Sequence, residues 1–302
     1  HLWPGELHYL LDDLWKDTDD GHNIKKTVFI ECSQEYLLDG DESSRPVGET
    51  IFVRNISLEA KKQPDKAQIC GIVGHADLLS ENVTSILEKH LEEGQGLFKG
   101  IRHAGGWDHH DEIDNSHHHP QKNLYLSDEF SEGLNELENK DLSFEAWQYH
   151  HQIKQVTLLA KEHPNLKIVL NHFSGPLGIG PYRGKQNEIF EIWKKNIDEL
   201  AKNQNVYAKL GGLAMPINGY EFHKQAMPPS SDQLIEAQKK YYEFSIKSFG
   251  PERCMFESNF PVDKQSISYR TIWNAFKKMS KEFSQGDRDY LFMKSAENFY
   301  SL

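Results

Sequence analysis

The sequence has no uninterrupted apolar run of about 18 residues, which excludes a membrane-spanning helix. It shows no signal-peptide pattern at its start. Cysteine is scarce. Cys32, Cys70 and Cys254 are an odd count without zinc-type spacing, which argues against a disulfide framework and a structural zinc site. Buried thiols in a reducing, cytoplasmic setting are the expectation. Positive charge is in deficit as well: 34 Lys and Arg face 46 Asp and Glu, for a formal net charge of -12. A field of that sign disfavours nucleic acid and anionic membrane as partners. There is no P-loop, no GxGxxG, no internal repeat beyond a strand–helix unit, and no low-complexity linker.

Apolar residues make up 37% of the 302, enough for a large core. That suits one (β/α)8 barrel of about 250 residues with long loops, or two ordinary domains. Strand-like runs lie near 27–32, 68–75, 97–103, 142–147, 166–172, 205–210 and 253–260. Helical patterns near 49–60, 80–93, 128–138, 150–163, 186–203, 231–248 and 265–300 separate or follow them, and 6–21 precedes them. Strict alternation argues for parallel βαβ units. Seven strands are one short of eight. The chain opens on His1-Leu2-Trp3 with no strand before it and no initiator Met, so a truncated or trimmed start is expected. The expected fold is therefore a single α/β domain over residues 1–302, a (β/α)8 TIM barrel with its first strand missing. A doubly wound sheet is the alternative. Polar or titratable residues close almost every strand: Cys32, His75, Arg102, His103, Trp147, His172, Lys209 and Asn259. A doubly wound sheet would gather them at one switch point, whereas a barrel spreads them around one rim.

The densest chemistry lies in Arg253-Cys254-Met255-Phe256-Glu257-Ser258-Asn259-Phe260-Pro261-Val262-Asp263-Lys264. In a strand, residues two apart share a face, so Glu257 and Asn259 would point the same way. A carboxylate inside a barrel should have a raised pKa unless paired, which suits a general base. The bland alternative is a salt bridge from Glu257 to Arg102 or Lys209, and a polar strand cap at Asn259. Asp263 is a further candidate base, or else a solvated loop residue or helix cap. His172, at a strand end, could polarise a carbonyl or bind metal. Arg102, Lys209 and Arg183 could hold a substrate carboxylate, although surface Arg commonly do nothing of the kind. His103, Trp147, Tyr149 and His150 would line the wall, or His150-His151 would simply open a helix. The His-rich loop 109–119 reads as a solvated loop or lid. Cys32 reads as packing, since nothing nearby in sequence would acidify it.

Taken together, His1-Leu2-Trp3, Phe98-Lys99-Gly100-Ile101-Arg102-His103, Ile168-Val169-Leu170-Asn171-His172 with Ser174-Gly175-Pro176-Leu177-Gly178, Ala208-Lys209-Leu210-Gly211-Gly212 and Met255-Phe256-Glu257-Ser258-Asn259-Phe260-Pro261 resemble the amidohydrolase superfamily. The resemblance is to the amidohydrolase-related (amidohydrolase 2) branch and its lactonase-like group, which includes sugar-lactone hydrolases and the pyrone-dicarboxylate lactonase. It implies a (β/α)8 barrel that hydrolyses a small cyclic ester. It also implies a catalytic cluster of an HxH pair, a sixth-strand His and an eighth-strand Asp. His1 matches the second His of the pair, and the first has no counterpart. His172 matches the sixth-strand His. Asn259 stands where the Asp is usual, and an amide cannot serve as a general base. The resemblance implies no cofactor or one divalent metal, zinc or manganese, held by His1 and His172. A catalytic zinc needs three good protein ligands, so the loss of a carboxylate weakens that reading. The expected function is opening of a lactone by water, with His1, His172, Glu257 and Asn259 catalytic. A metal-dependent decarboxylase and a non-catalytic small-anion-binding barrel are the alternatives. A small molecule is the expected partner, and homo-oligomerisation is left open.

Overall fold

The computed structural model describes residues 9–302. His1 and any strand preceding it lie outside the described residues. The contacts divide the chain into two compact units. One holds residues up to His103, Asp128–Glu145 and Leu302. The other holds Ala104–Ser127 and Ala146–Ser301.

The first unit runs α1 (Leu11–Thr18), β1 (Lys26–Ile30), α2 (Val47–Ala60), β2 (Gln68–Gly74), α3 (Val83–Gly94), β3 (Phe98–Arg102), α4 (Asp128–Asn139) and β4 (Ser143–Ala146), whose last residue counts with the second unit. Each strand pairs in parallel with the next one in sequence. The helices cover them for an ordinary reason: their apolar residues recur at helical spacing. Val83, Ile86, Leu87 and His90 form the buried stripe of α3, and Phe130, Gly133, Leu134 and Leu137 that of α4. Trp15 fixes α1 by packing on Ala60 and Ala67 and by donating its indole N–H to the Ala67 carbonyl at 3.0 Å.

The second unit continues with α5 (Ile153–Glu162), β5 (Ile168–Leu170), α6 (Gln186–Leu200), β6 (Val206–Leu210), α7 (Ser231–Phe249), β7 (Cys254–Phe256), α8 (Tyr269–Met279), α9 (Gln285–Asp289) and α10 (Ser295–Tyr300). Here too β5, β6 and β7 pair in parallel in sequence order. Ser230 caps α7 by accepting from the Gln233 N–H, while the Gln233 side chain accepts from the Ser230 N–H. Trp193, Tyr241, Tyr242 and Phe173 form an aromatic core beneath β5 and β6.

Seven parallel strands alternating with helices bear out the expected α/β class. Two boundaries differ. The first helix begins at Leu11 within the described residues, and β7 stops at Phe256, so Glu257 to Asn259 lie past the strand. Among the described residues no helix is long and apolar enough to cross a membrane.

At the carboxyl end of β1, Glu49 of α2 is buried. Its Oε1 accepts from the Cys32 N–H at 3.0 Å and the Gln34 N–H at 2.8 Å. Burial, then the neighbouring Glu31 carboxylate, raises its pKa to about 7. Burial, then Glu49 and Glu31, also pushes the Cys32 thiol far up, which fits packing and not a nucleophile. The folded state keeps the Glu49 proton to about pH 7, while the unfolded chain loses it near 4.5. Stability from this group is therefore intact below 4.5 and is lost as pH rises towards 7, with a slope of up to about 1.4 kcal/mol per pH unit. Glu49→Gln keeps the accepting oxygen and removes the titration. Urea unfolding across this pH range should show the variant gaining on the wild type as pH rises. Parallel curves would mean that Glu49 is not the titrating group.

Candidate active site

Two strands set the site in the second unit. In β7, Phe256 stacks on Phe276 of α8 with ring centroids 4.5 Å apart, and Cys254 Sγ faces the Ser245 carbonyl of α7. Alternation then turns Met255 and Glu257 to the other face. The Glu257 N–H still donates to the Leu210 carbonyl at 3.2 Å, so the ladder carries that face one residue past the strand. Lys209 pairs with Met255 and shares the face, where its ammonium lies 5.7 Å over the Tyr300 ring.

His172 arrives from β5 by an unusual backbone. His172, Phe173 and Ser174 have φ of 49°, 54° and 62°, three consecutive left-handed residues that are not glycine. The surroundings hold them there. Trp193 donates its indole N–H to the Phe173 carbonyl at 2.7 Å, Gln148 donates to Ser174 Oγ at 2.6 Å, and the Ser174 N–H donates to the Asn171 carbonyl at 2.8 Å. The turn aims the imidazole at Glu257, with Nδ1 2.6 Å from Oε1. A carboxylate at that distance accepts, so Nδ1 carries the proton and Nε2 is the basic nitrogen of the neutral ring. The indole of Trp147 packs edge-on against the imidazole at 5.0 Å. Gly212 is required beside them. A Cβ there would stand 2.4 Å from His172 Nδ1, and its φ is 76°.

Asn259 also has a left-handed backbone, φ 53°. Its amide nitrogen donates to Asp263 Oδ1 at 3.1 Å. Asp263 is fully buried. Burial raises its pKa well above the carboxylate range, only partly opposed by hydrogen bonds from Asn259 and the Ala214 N–H. Asp263 is thus pushed towards its neutral form, and its burial corrects the expectation of a solvated loop residue.

Glu257 pairs with His172. Arg102 belongs to the first unit, where Glu31 takes both its Nε and its Nη2 at 2.6 Å. His103, in the same unit, accepts from the Leu78 N–H at 3.2 Å. Arg183 is exposed and sits 3.9 Å from Glu221, with no place in the His172 cluster. Trp147 and Tyr149 belong to an apolar cluster with Ala104, Ile113, Leu177 and Met215. His150 opens a short 3-10 turn and accepts from the Leu177 N–H, and burial lowers its pKa to about 3.

The His-rich loop is not wholly solvated as expected. The buried Asp108 carboxylate accepts from Tyr182 Oη at 2.7 Å and lies 2.8 Å from both His110 Nδ1 and His151 Nε2. Sequence reading missed this cluster because its members are spread over residues 108 to 182.

His172 and Glu257 supply two metal donors among the described residues, short of the three a catalytic zinc requires. His1, the other expected ligand, lies outside the described residues, and Asn259 offers an amide in place of a carboxylate.

Parallel strands in alternation with helices, carrying an imidazole–carboxylate pair past their carboxyl ends, are the layout of a βα-type enzyme. The amidohydrolase family profile matches residues 55–302, and the chain belongs to that family. It is 32% identical over 97% of its length to the uncharacterised protein y4mH of Sinorhizobium fredii, of which it covers 86%. It is 23% identical over 84% of its length to an L-fucono-1,5-lactonase of Burkholderia multivorans, covering 77% of that protein. Its fold matches a zinc-bound amidohydrolase structure from B. multivorans with TM-score 0.71 at 20% identity, over 97% of this chain and 89% of the other. A 2,6-dihydroxybenzoate decarboxylase from Rhizobium shares the fold at TM-score 0.56 and 14% identity, over 97% and 88%.

Gly212→Ala should break the His172–Glu257 contact and cost about 1–3 kcal/mol of stability by overpacking. The Nδ1 proton should give a far-downfield proton NMR signal in the wild type, lost in Gly212→Ala and in Glu257→Gln. A signal that survives Glu257→Gln would show that Glu257 is not the partner.

Proposed function

We propose that this protein is a hydrolase that opens the lactone of a small, acidic or sugar-derived substrate. The observation that carries the reading is the 2.6 Å contact between His172 Nδ1 and Glu257 Oε1. Glu257 fixes the ring orientation and favours the imidazolium that forms when Nε2 takes a proton from water. The hydroxide attacks the lactone carbonyl. As the tetrahedral intermediate collapses, the ring oxygen leaves and takes the proton back from Nε2, and the product is a hydroxy acid. Asn259, locked by Asp263, is placed to orient water or to donate to the developing oxyanion. Lys209 offers a positive charge to a substrate carboxylate or hydroxyl. Trp147 gives the His172 ring an apolar flank, which strengthens its interaction with Glu257. The lactonase relative supports the hydrolytic reading; the sugar acid itself is part of the proposal.

The test is lactone hydrolysis by the full chain, with and without chelator. His172→Ala and Glu257→Gln should each lower kcat/KM by about 10²–10⁴, whereas Asp263→Asn should leave the acid limb of the pH profile in place. Turnover abolished by chelator and restored by zinc or manganese would reassign His172 to metal binding. Release of carbon dioxide from an aromatic acid, with no lactone turnover, would replace the hydrolase by a decarboxylase.

A further inference from the structure

Within the second unit, three histidines converge on one carboxylate away from the His172–Glu257 pair. Asp108 has no exposed side-chain surface. Its Oδ1 lies 2.8 Å from His110 Nδ1 and its Oδ2 2.8 Å from His151 Nε2. His109 Nδ1 is 3.7 Å from Oδ1, on an exposed ring. The potential ligand atoms of Asp108, His109 and His110 all lie within 4.8 Å of one another.

We propose that Asp108, His109 and His110 bind a divalent transition metal, with His151, 2.8 Å from the second Asp108 oxygen, as a further donor. The donor set is one carboxylate and two or three imidazoles, which suits zinc, cobalt or nickel better than calcium or magnesium.

The supporting shell is built as well. Tyr182 donates to Oδ2, the His110 N–H donates to Oδ1 at 2.9 Å, and the Asp108 N–H donates to Asn115 Oδ1 at 3.0 Å. These bonds orient the carboxylate in advance, as partners of metal ligands do. His151 sits in the turn that precedes α5, and Tyr182 in the loop before α6. An ion here would staple the 104–127 segment to both. In its absence the same atoms form a hydrogen-bond network, and a metal replaces the two imidazole protons that point at Asp108.

The experiment separates this site from the one at His172. The full chain, stripped with chelator, is titrated with Co2+ and then Zn2+ in the His172→Ala background. The expected result is one Co2+ per chain with visible d–d bands, displaced by Zn2+. A rise in Tm with metal concentration should accompany it. His110→Ala with His151→Ala should weaken binding by about 100-fold or more, and Asp108→Asn by about 10–100-fold. Circular dichroism and metal-free Tm report whether each variant is folded. His110 is partly exposed, so His110→Ala alone serves if the double variant does not fold. Binding should fall as pH drops below about 6, where imidazoles take up protons. No Co2+ bands in the His172→Ala protein, or bands unchanged in folded His110→Ala, would overturn the proposal. Because His172 is absent throughout, neither result bears on lactone hydrolysis.

Discussion

The contact between His172 and Glu257 is the constraint around which the second unit is arranged. It joins the ends of β5 and β7, which are not neighbours in sheet order; β6 lies between them. The intervening strand must therefore end in residues without side chains. Gly211 and Gly212 meet that need: a Cβ at Gly211 would stand 2.1 Å from the Glu257 carbonyl oxygen, and one at Gly212 would enter the imidazole. The left-handed run from His172 to Ser174 is the other half of the arrangement. A regular continuation of β5 would alternate side chains across the sheet. The turn instead swings the ring laterally, and Trp193 and Gln148 keep it there.

Two carboxyl groups lie close by in different surroundings. Glu257 meets an imidazole and keeps some exposure to solvent. Asp263 is fully buried under Asn259, and burial together with the nearby Glu257 charge pushes it towards the neutral form. These surroundings also account for an amide at position 259. A second ionised carboxylate beside Glu257 would compete for the same imidazole and raise the cost of burying Asp263. An amide donates to Asp263 at no charge cost, and Glu257, two residues earlier, meets the histidine.

Much of this was legible in the sequence. The runs Gln68–Gly74 and Val206–Leu210 are strands because β-branched and apolar residues fill them, and the helices between announce themselves by a 3.6-residue stripe. The candidates at His172, Glu257, Asn259 and Asp263 were legible because they crowd the end of a strand. Their pairing was not. Period-two alternation predicts a common face for Glu257 and Asn259, but β7 ends at Phe256 and the backbone turns left-handed at Asn259. Alternation carries no information past the last ladder bond. Ionisation was hidden for a related reason. Asp263 follows a proline in a polar stretch and reads as a surface loop, yet its burial depends on Ala214, Tyr242 and Ser266, none of which the local sequence implicates.

The loop cluster shows the same limit from the opposite side. Adjacent histidines without a scaffold bind little, so Asp108-His109-His110 reads as solvated when taken alone. The scaffold comes from His151 and Tyr182, 43 and 74 residues further on. What turns a polar run into an ordered centre is the burial of its one carboxylate. Asp108 must be matched by donors once water is gone, and Tyr182 and two imidazoles are the donors that the fold delivers. Glu257 meets an imidazole and keeps some exposure to water. Degree of burial, more than residue type, thus separates a carboxylate that water still reaches from one committed to holding loops together.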